Sequence, residues 1–123
     1  MATGFNQPII LLGAETALGT AQNSTPTASQ LITGVFTQTS ATGAGTVTLP
    51  TGTQISSVVP GAETGMFFST VFANLGGGYA LTITGATGST VLGTAAVPSG
   101  KNATLTFICS GTNTWDVYCV VSA

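Results

Sequence analysis

The sequence predicts an all-β domain, a β-sandwich or barrel of roughly eight short strands. Short segments rich in Val, Ile, Thr and Phe are separated by turns made of Gly, Pro and Asn, which is the pattern of consecutive short strands. No segment has the length and helical periodicity needed to connect two parallel strands through a long helix. The 123 residues suffice for one such domain.

The N-terminal part differs from the rest, and we predict an extended arm over residues 1–28 ahead of a sandwich domain over residues 29–123. After an apolar run, the arm is rich in Thr, Asn, Ser and Ala. The run is a candidate docking segment that adds to a sheet edge, and its residues are Ile9, Ile10, Leu11 and Leu12. The alternative is that the arm folds back as the first strand of its own domain.

Two strands and one short helix are expected next. Residues 31–37 are rich in Thr, Val, Ile and Phe and predict a strand. Residues 46–49 alternate between polar and apolar side chains and predict a second strand. Apolar side chains at helical spacing predict one or two turns of helix near residues 53–59, with Thr51 or Thr53 as the N-cap.

Residues 66–75 form the most apolar predicted strand, and both of its faces are apolar. Phe68 and Phe72 share one face, whereas Phe67 and Val71 share the other. Such a strand is either central between two layers or buried at a subunit contact. We therefore take Phe67 and Val71 as candidate oligomer contacts.

Two shorter strands are predicted at residues 79–84 and 89–92, followed by a loop over residues 93–100. In the first of them Tyr79, Leu81 and Ile83 alternate with the smaller residues Ala80, Thr82 and Thr84. The alternation predicts that all three face the core.

The clearest element is a hairpin formed by residues 102–109 and 114–121. If Thr114 lies opposite Ser110, one side of the hairpin is entirely apolar, as a buried sheet face requires. The other side is half polar, but it also carries large apolar residues, which are Ile108, Tyr118 and Val120. These three are candidate contacts between subunits, and the alternative is that they are scattered exposed apolar residues, which are common.

The same register predicts the state of the two cysteines. Cys109 is placed opposite Trp115 and Cys119 opposite Leu105, so the two thiols are separated by about 13 Å along the strands. A disulfide requires Cα atoms within about 7 Å. We predict two buried free thiols, an expectation that a slipped register would reverse. Trp115 is predicted to lie in the core rather than to stack on a sugar.

Charge is scarce in this chain. Charged residues make up 3% of the sequence, against about 25% in soluble domains, and the four are Glu15, Glu63, Lys101 and Asp116. Threonine is the commonest residue, so the surface is expected to be hydrated but uncharged. Such a surface suits a protein that is permanently assembled, because charges at a contact cost desolvation energy. The alternative is a merely soluble neutral domain.

The residue inventory argues against several classes of function. There is no His, so the commonest general base and metal ligand is missing, and we expect no enzyme activity, cofactor or metal. One Lys and no Arg provide no basic surface for nucleic acid. Residues 9–12 are far too few to span a membrane, which takes about 20. The N-terminus lacks the positive flank and long apolar stretch of a secretion signal, so we expect synthesis in the cytoplasm of the cell that makes the protein, a host cell if the protein is viral.

Over residues 29–121 the chain resembles the small head decoration (cement) proteins of tailed bacteriophages. The resemblance lies in composition and order, in the block 46–51, the short helix, Gly65, the apolar strand ending at Asn74, the turn 76–78 before residues 81–84, and the strand 115–118. It implies a jelly-roll-like β-sandwich that forms a homotrimer on the capsid exterior and clamps the major capsid protein. The family has no catalytic residues to carry over, and the arm has no counterpart in it.

A second function remains open, which is a glycan-binding tip or collar module of a viral fibre. This function predicts exposed aromatic side chains at loop tips. The sequence offers Tyr79, which follows a turn of three glycines.

Overall fold

The computed structural model describes residues 15–32, 34–40 and 42–122. Within these residues the chain forms nine strands and two short helices. The strands are β1 (Thr16–Ala17), β2 (Val35–Gln38), β3 (Gly45–Thr48), β4 (Phe67–Asn74), β5 (Leu81–Thr84), β6 (Ser89–Gly93), β7 (Ala96–Val97), β8 (Asn102–Gly111) and β9 (Thr114–Val121). The helices are α1 (Ala28–Leu31) and α2 (Gly52–Val58). The predicted all-β class is confirmed.

The strands form two sheets that share one hydrophobic core. The larger sheet has the order β1-β2-β4-β8-β9-β6, and the smaller has the order β3-β5-β7. Four of the seven strand pairings are parallel, namely β1–β2, β2–β4, β3–β5 and β6–β9. Jelly rolls belong to the antiparallel architectures. The β-sandwich is therefore confirmed, and the jelly-roll connectivity is not.

The strand predicted over residues 31–37 is wrong in its first half, because α1 extends to Leu31. Thr27 caps this helix: its Oγ1 accepts a hydrogen bond from the Gln30 N–H at 3.2 Å, and the Gln30 side chain accepts one from the Thr27 N–H at 2.8 Å. This reciprocal capping box stabilises the first turn. The strand that the β-prone residues of this segment predict therefore begins only at Val35, as β2.

The helix predicted near residues 53–59 is confirmed as α2, and its N-cap is Thr51. Gln54 completes a capping box with Thr51, through hydrogen bonds of 3.2 and 2.9 Å. Ile55 is fully buried, and Ser56 Oγ accepts a hydrogen bond of 2.9 Å from Trp115 Nε1. The helix therefore packs on the core side of the larger sheet.

The predicted hairpin register is confirmed in β8 and β9. Cys109 lies opposite Trp115 and Cys119 opposite Leu105, and a register shift follows Cys109. Both cysteines are buried and free, as the register predicts. Burial raises the pKa of the Cys119 thiol, because the charged thiolate is poorly solvated in the core.

Aromatic side chains from the larger sheet fill the centre of the core. Phe68 stacks on Phe107 with ring centroids 4.7 Å apart and meets Trp115 edge-on at 5.7 Å. Phe36 and Phe72 pack at 5.0 Å. Such pairs add to the stabilisation that comes from burial alone, so this side of the sheet is a fixed, close-packed layer.

Two expectations between residues 79 and 100 are wrong. Tyr79 is 39% exposed rather than inward, because β5 begins only at Leu81 and the Tyr79 carbonyl accepts a hydrogen bond from Asn74 Nδ2 at 2.9 Å. The predicted loop over residues 93–100 contains β7, which pairs with β5 and places Val97 opposite Leu81. Pairing with a neighbouring strand, not local propensity, creates this two-residue strand.

Part of the predicted arm lies along the domain. β1 pairs with β2, and Ser24 forms a parallel bridge with Val47 in β3. The candidate docking residues Ile9, Ile10, Leu11 and Leu12 lie outside the described residues. In the part of the chain that the structure describes, no helix is long and apolar enough to cross a membrane.

Candidate functional site

The candidate site is the side of the larger sheet that faces away from the smaller sheet, here called the outer face. Successive side chains of a strand point to opposite faces, so the inner and outer positions of β4, β8 and β9 alternate. All five residues predicted as oligomer contacts lie on the outer face, and they are Phe67, Val71, Ile108, Tyr118 and Val120.

These side chains are exposed to a degree that is unusual for their size. Phe67 is 72% exposed, Val120 67% and Tyr118 45%. Ile108 and Val71 are partly buried between their neighbours. Exposed apolar side chains that lie together mark interaction sites in soluble proteins. The positions of these five side chains relative to one another therefore indicate whether the outer face could be such a site.

The strand register brings these apolar side chains to one face of three adjacent strands. Phe67 lies directly opposite Ile108 in the antiparallel pair of β4 and β8, and directly opposed residues have Cβ atoms about 4.5–5.5 Å apart. Thr104 in β8 separates Val71 on one side from Val120 on the other. The five residues therefore belong to one patch of mixed apolar and hydroxyl side chains.

Two further residues extend the patch, and they lie in strands that the sequence predicts without placing them beside β4 and β9. Val35 in β2 lies opposite Val71, and Leu92 in β6 lies opposite Tyr118. They are 36% and 37% exposed. Both strands join the sheet through parallel pairs with partners that are distant in sequence. A local sequence pattern does not predict which strands pair in this way. For Val35, its place in an apolar segment was the only signal.

Polar groups on the outer face are mostly hydroxyls. Ser69 Oγ and Thr106 Oγ1 share a hydrogen bond of 3.2 Å across β4 and β8. Asp116 brings a carboxylate to this face, where it lies opposite Ile108. The other charged residues, Glu15, Glu63 and Lys101, lie outside the strands. Contacts made by this face would depend on apolar burial and would be weakly sensitive to salt.

Other features of the described residues offer little to acid–base or metal chemistry. No group of three or more His, Cys, Asp or Glu side chains comes together in residues 15–32, 34–40 and 42–122. A groove of about 310 Å³ separates residues 25–29 from α2, and its lining side chains are uncharged. Cys109 and Cys119 point into the core, where their thiols are shielded from solvent.

Comparisons of the chain with protein-family models, with curated proteins and with solved structures give no match.

Proposed function

We propose that the chain is a structural virion protein that decorates and stabilises the exterior of a phage capsid as a homotrimer. Its partners are further copies of itself and the major capsid protein, and it acts without catalysis or a cofactor. The observation that carries the proposal is the outer face, where Phe67 and Val120 are the most exposed side chains of a patch that carries one charged group, Asp116.

Self-association offers the patch a partner of matching chemistry. Burying apolar surface is worth about 25 cal/mol per Å², whereas each charged group taken into a contact costs desolvation energy. The chain has four charged residues among 123, so a second copy presents little charge to desolvate. Closed cyclic symmetry would cover the patch of every copy at once.

A trimer also explains how such a module would hold a capsid. Three copies can contact three capsid subunits simultaneously, so weak individual contacts add through effective concentration. The resemblance of residues 29–121 to head decoration proteins supports the capsid as the larger surface. The predicted docking segment over residues 9–12 would supply a contact to it by sheet addition.

The second candidate is a glycan-binding tip or collar module of a viral fibre. The observation in its favour is Tyr79, a residue that is 39% exposed beside a turn of three glycines. Exposed aromatic rings can stack on sugars, since they combine an apolar face with a polar tip.

Mass spectrometry of purified particles from the source of the protein tests the proposal. Decoration predicts a copy number in a simple ratio to the major capsid protein, measured with isotope-labelled reference peptides of both chains. The tail proteins of the same particles provide the control, because their copy numbers are far lower. A copy number in the range of the tail proteins would favour the fibre module, and absence from the particles would refute both viral functions.

A further inference from the structure

The segment 16–24 occupies a cleft between the edges of the two sheets. On the larger sheet, Leu18 N–H donates to the Thr37 carbonyl at 2.7 Å, beyond the pairing of β1 with β2. On the smaller sheet, Ser24 N–H donates to the Thr46 carbonyl at 3.0 Å and the Ser24 carbonyl accepts from Thr48 N–H at 2.9 Å. The same stretch of chain thus completes one edge of each sheet.

A buried amide in the cleft recognises the backbone of this segment. Gln38 is 1% exposed, and its Nε2 donates to the carbonyls of Ala21 at 2.7 Å and Gln22 at 3.5 Å. Its Oε1 accepts a hydrogen bond from Ser24 Oγ. All three of these side-chain bonds end on the segment. Gln38 therefore keeps these three hydrogen bonds only while a chain occupies the cleft.

The opposite wall of the cleft is shaped for close approach of a main chain. A Cβ at Gly45 would lie 1.7 Å from the Gln22 carbonyl oxygen, so no other residue fits there without displacing the segment. Asn23 Oδ1 accepts from the Thr46 N–H at 3.0 Å, and Gln22 Nε2 donates to the Ala44 carbonyl at 2.7 Å. The cleft therefore has the features of a site for an extended peptide.

The segment brings little apolar surface to hold it in place. Residues 19–23 are exposed, and Leu18 is the side chain of the segment that packs against the core. The chain that follows, residues 25–27, borders the groove of about 310 Å³ in front of α2. The segment is thus held mainly by main-chain hydrogen bonds, each worth about 1 kcal/mol net, and of the residues 25–27 that connect it to α1 only Pro26 is buried.

We propose that this cleft is a strand-accepting site and that in the assembled oligomer its occupant is the segment 16–24 of a neighbouring copy. Exchange recreates every contact seen within one chain, so it costs little beyond the rearrangement of residues 25–27. It also links the copies through two sheets at once. The inference rests on the proposed self-association of this chain and adds to it how the copies are joined.

Disulfide trapping in the full chain tests the exchange. Ala17 and Thr37 are direct partners in the β1–β2 pair, where strands lie about 4.8 Å apart, within the range that a disulfide spans. The double variant Ala17→Cys with Thr37→Cys is oxidised in the native state, remaining thiols are blocked, and the sample is run on a denaturing gel without reductant. Exchange predicts covalent oligomers in place of most of the monomer band.

The matched control is the double variant Thr82→Cys with Ala96→Cys, which joins β5 to β7 away from the cleft and should give monomer bands alone. Light scattering of the same native samples separates the two proposals. An oligomer by scattering that yields only monomer bands in both variants overturns the exchange and leaves self-association standing. A monomer by scattering overturns both.

A second measurement needs no substitution and covers the case in which the Thr37 variant does not fold. In a mixture of isotope-labelled and unlabelled chains, refolded together, isotope-filtered NMR reports only contacts between chains. Exchange predicts signals between Ser24 of one chain and Thr46 of another. If these signals arise only within uniformly labelled chains, the segment stays in its own cleft and the inference is wrong.

Discussion

The inner and outer faces of the larger sheet are built from alternate residues of the same strands, yet they face different surroundings. In β9, Trp115 and Val117 are at most 1% exposed, whereas Tyr118 and Val120 are 45% and 67% exposed. The inner side chains pack against core residues of their own chain. Tyr118 and Val120 have no second layer of side chains over them among the described residues, and they share their face with Thr104, Thr106 and Asp116. Large exposed apolar side chains grouped on one face mark interaction sites.

The largest expected effect on stability comes from truncating a large side chain of the inner face. Phe107 is fully buried and stacked on Phe68, so Phe107→Ala should lower the free energy of unfolding by about 3–5 kcal/mol. Chemical denaturation of dilute, dissociated protein measures this loss. The matched control is Phe67→Ala on the outer face, where a change within about 0.5 kcal/mol is expected. Equal losses would show that Phe67 is already supported inside its own chain.

The alternation that separates these faces could be read from the sequence. Adjacent strands joined by a short turn have one register that makes a whole face apolar, and this placed Cys109 opposite Trp115 correctly. The same period of two groups Phe67 with Val71, and Tyr118 with Val120. The pairing of β4 with β8, which the sequence did not predict, brings the two groups to one side of the sheet. The local pattern therefore predicts the hairpin and the members of the outer face, but not that they meet on one sheet.

What could not be predicted depends on pairing between distant segments. The side chain of Gln38 is buried because main-chain carbonyls of Ala21 and Gln22 accept its hydrogen bonds, and a sequence carries no mark of such partners. Leu92 reaches the outer face through the parallel pairing of β6 with β9. The helix α1 was missed although Thr27 and Gln30 form its capping box, because the β-prone residues that follow were given more weight.

A single charged substitution on the outer face should have a smaller effect on folding and should instead prevent the copies from associating. Val120→Asp places a carboxylate in the centre of the proposed contact, where desolvation disfavours it, and Ile108→Asp should do the same. We expect the mass measured by light scattering to fall from oligomer to monomer. Thr53→Asp is the control, since it adds the same charge on exposed α2, and its mass should not change. If the Val120 and Ile108 variants keep the oligomer mass, the copies meet through another surface.

The smallest expected effect has the opposite sign and concerns one residue of the inner face. Thr70 is 1% exposed, and its Oγ1 has no hydrogen-bond partner among the described residues. Because an unsatisfied buried hydroxyl is costly, Thr70→Val should stabilise the protein by about 1 kcal/mol, seen as a higher denaturant midpoint. Thr106→Val on the outer face makes the same change of shape and strand propensity at a half-buried hydroxyl that is already bonded to Ser69. If Thr70→Val lowers the stability as much as Thr106→Val does, the buried Thr70 hydroxyl has a hydrogen-bond partner. The inner face would then have no unsatisfied hydroxyl at this position.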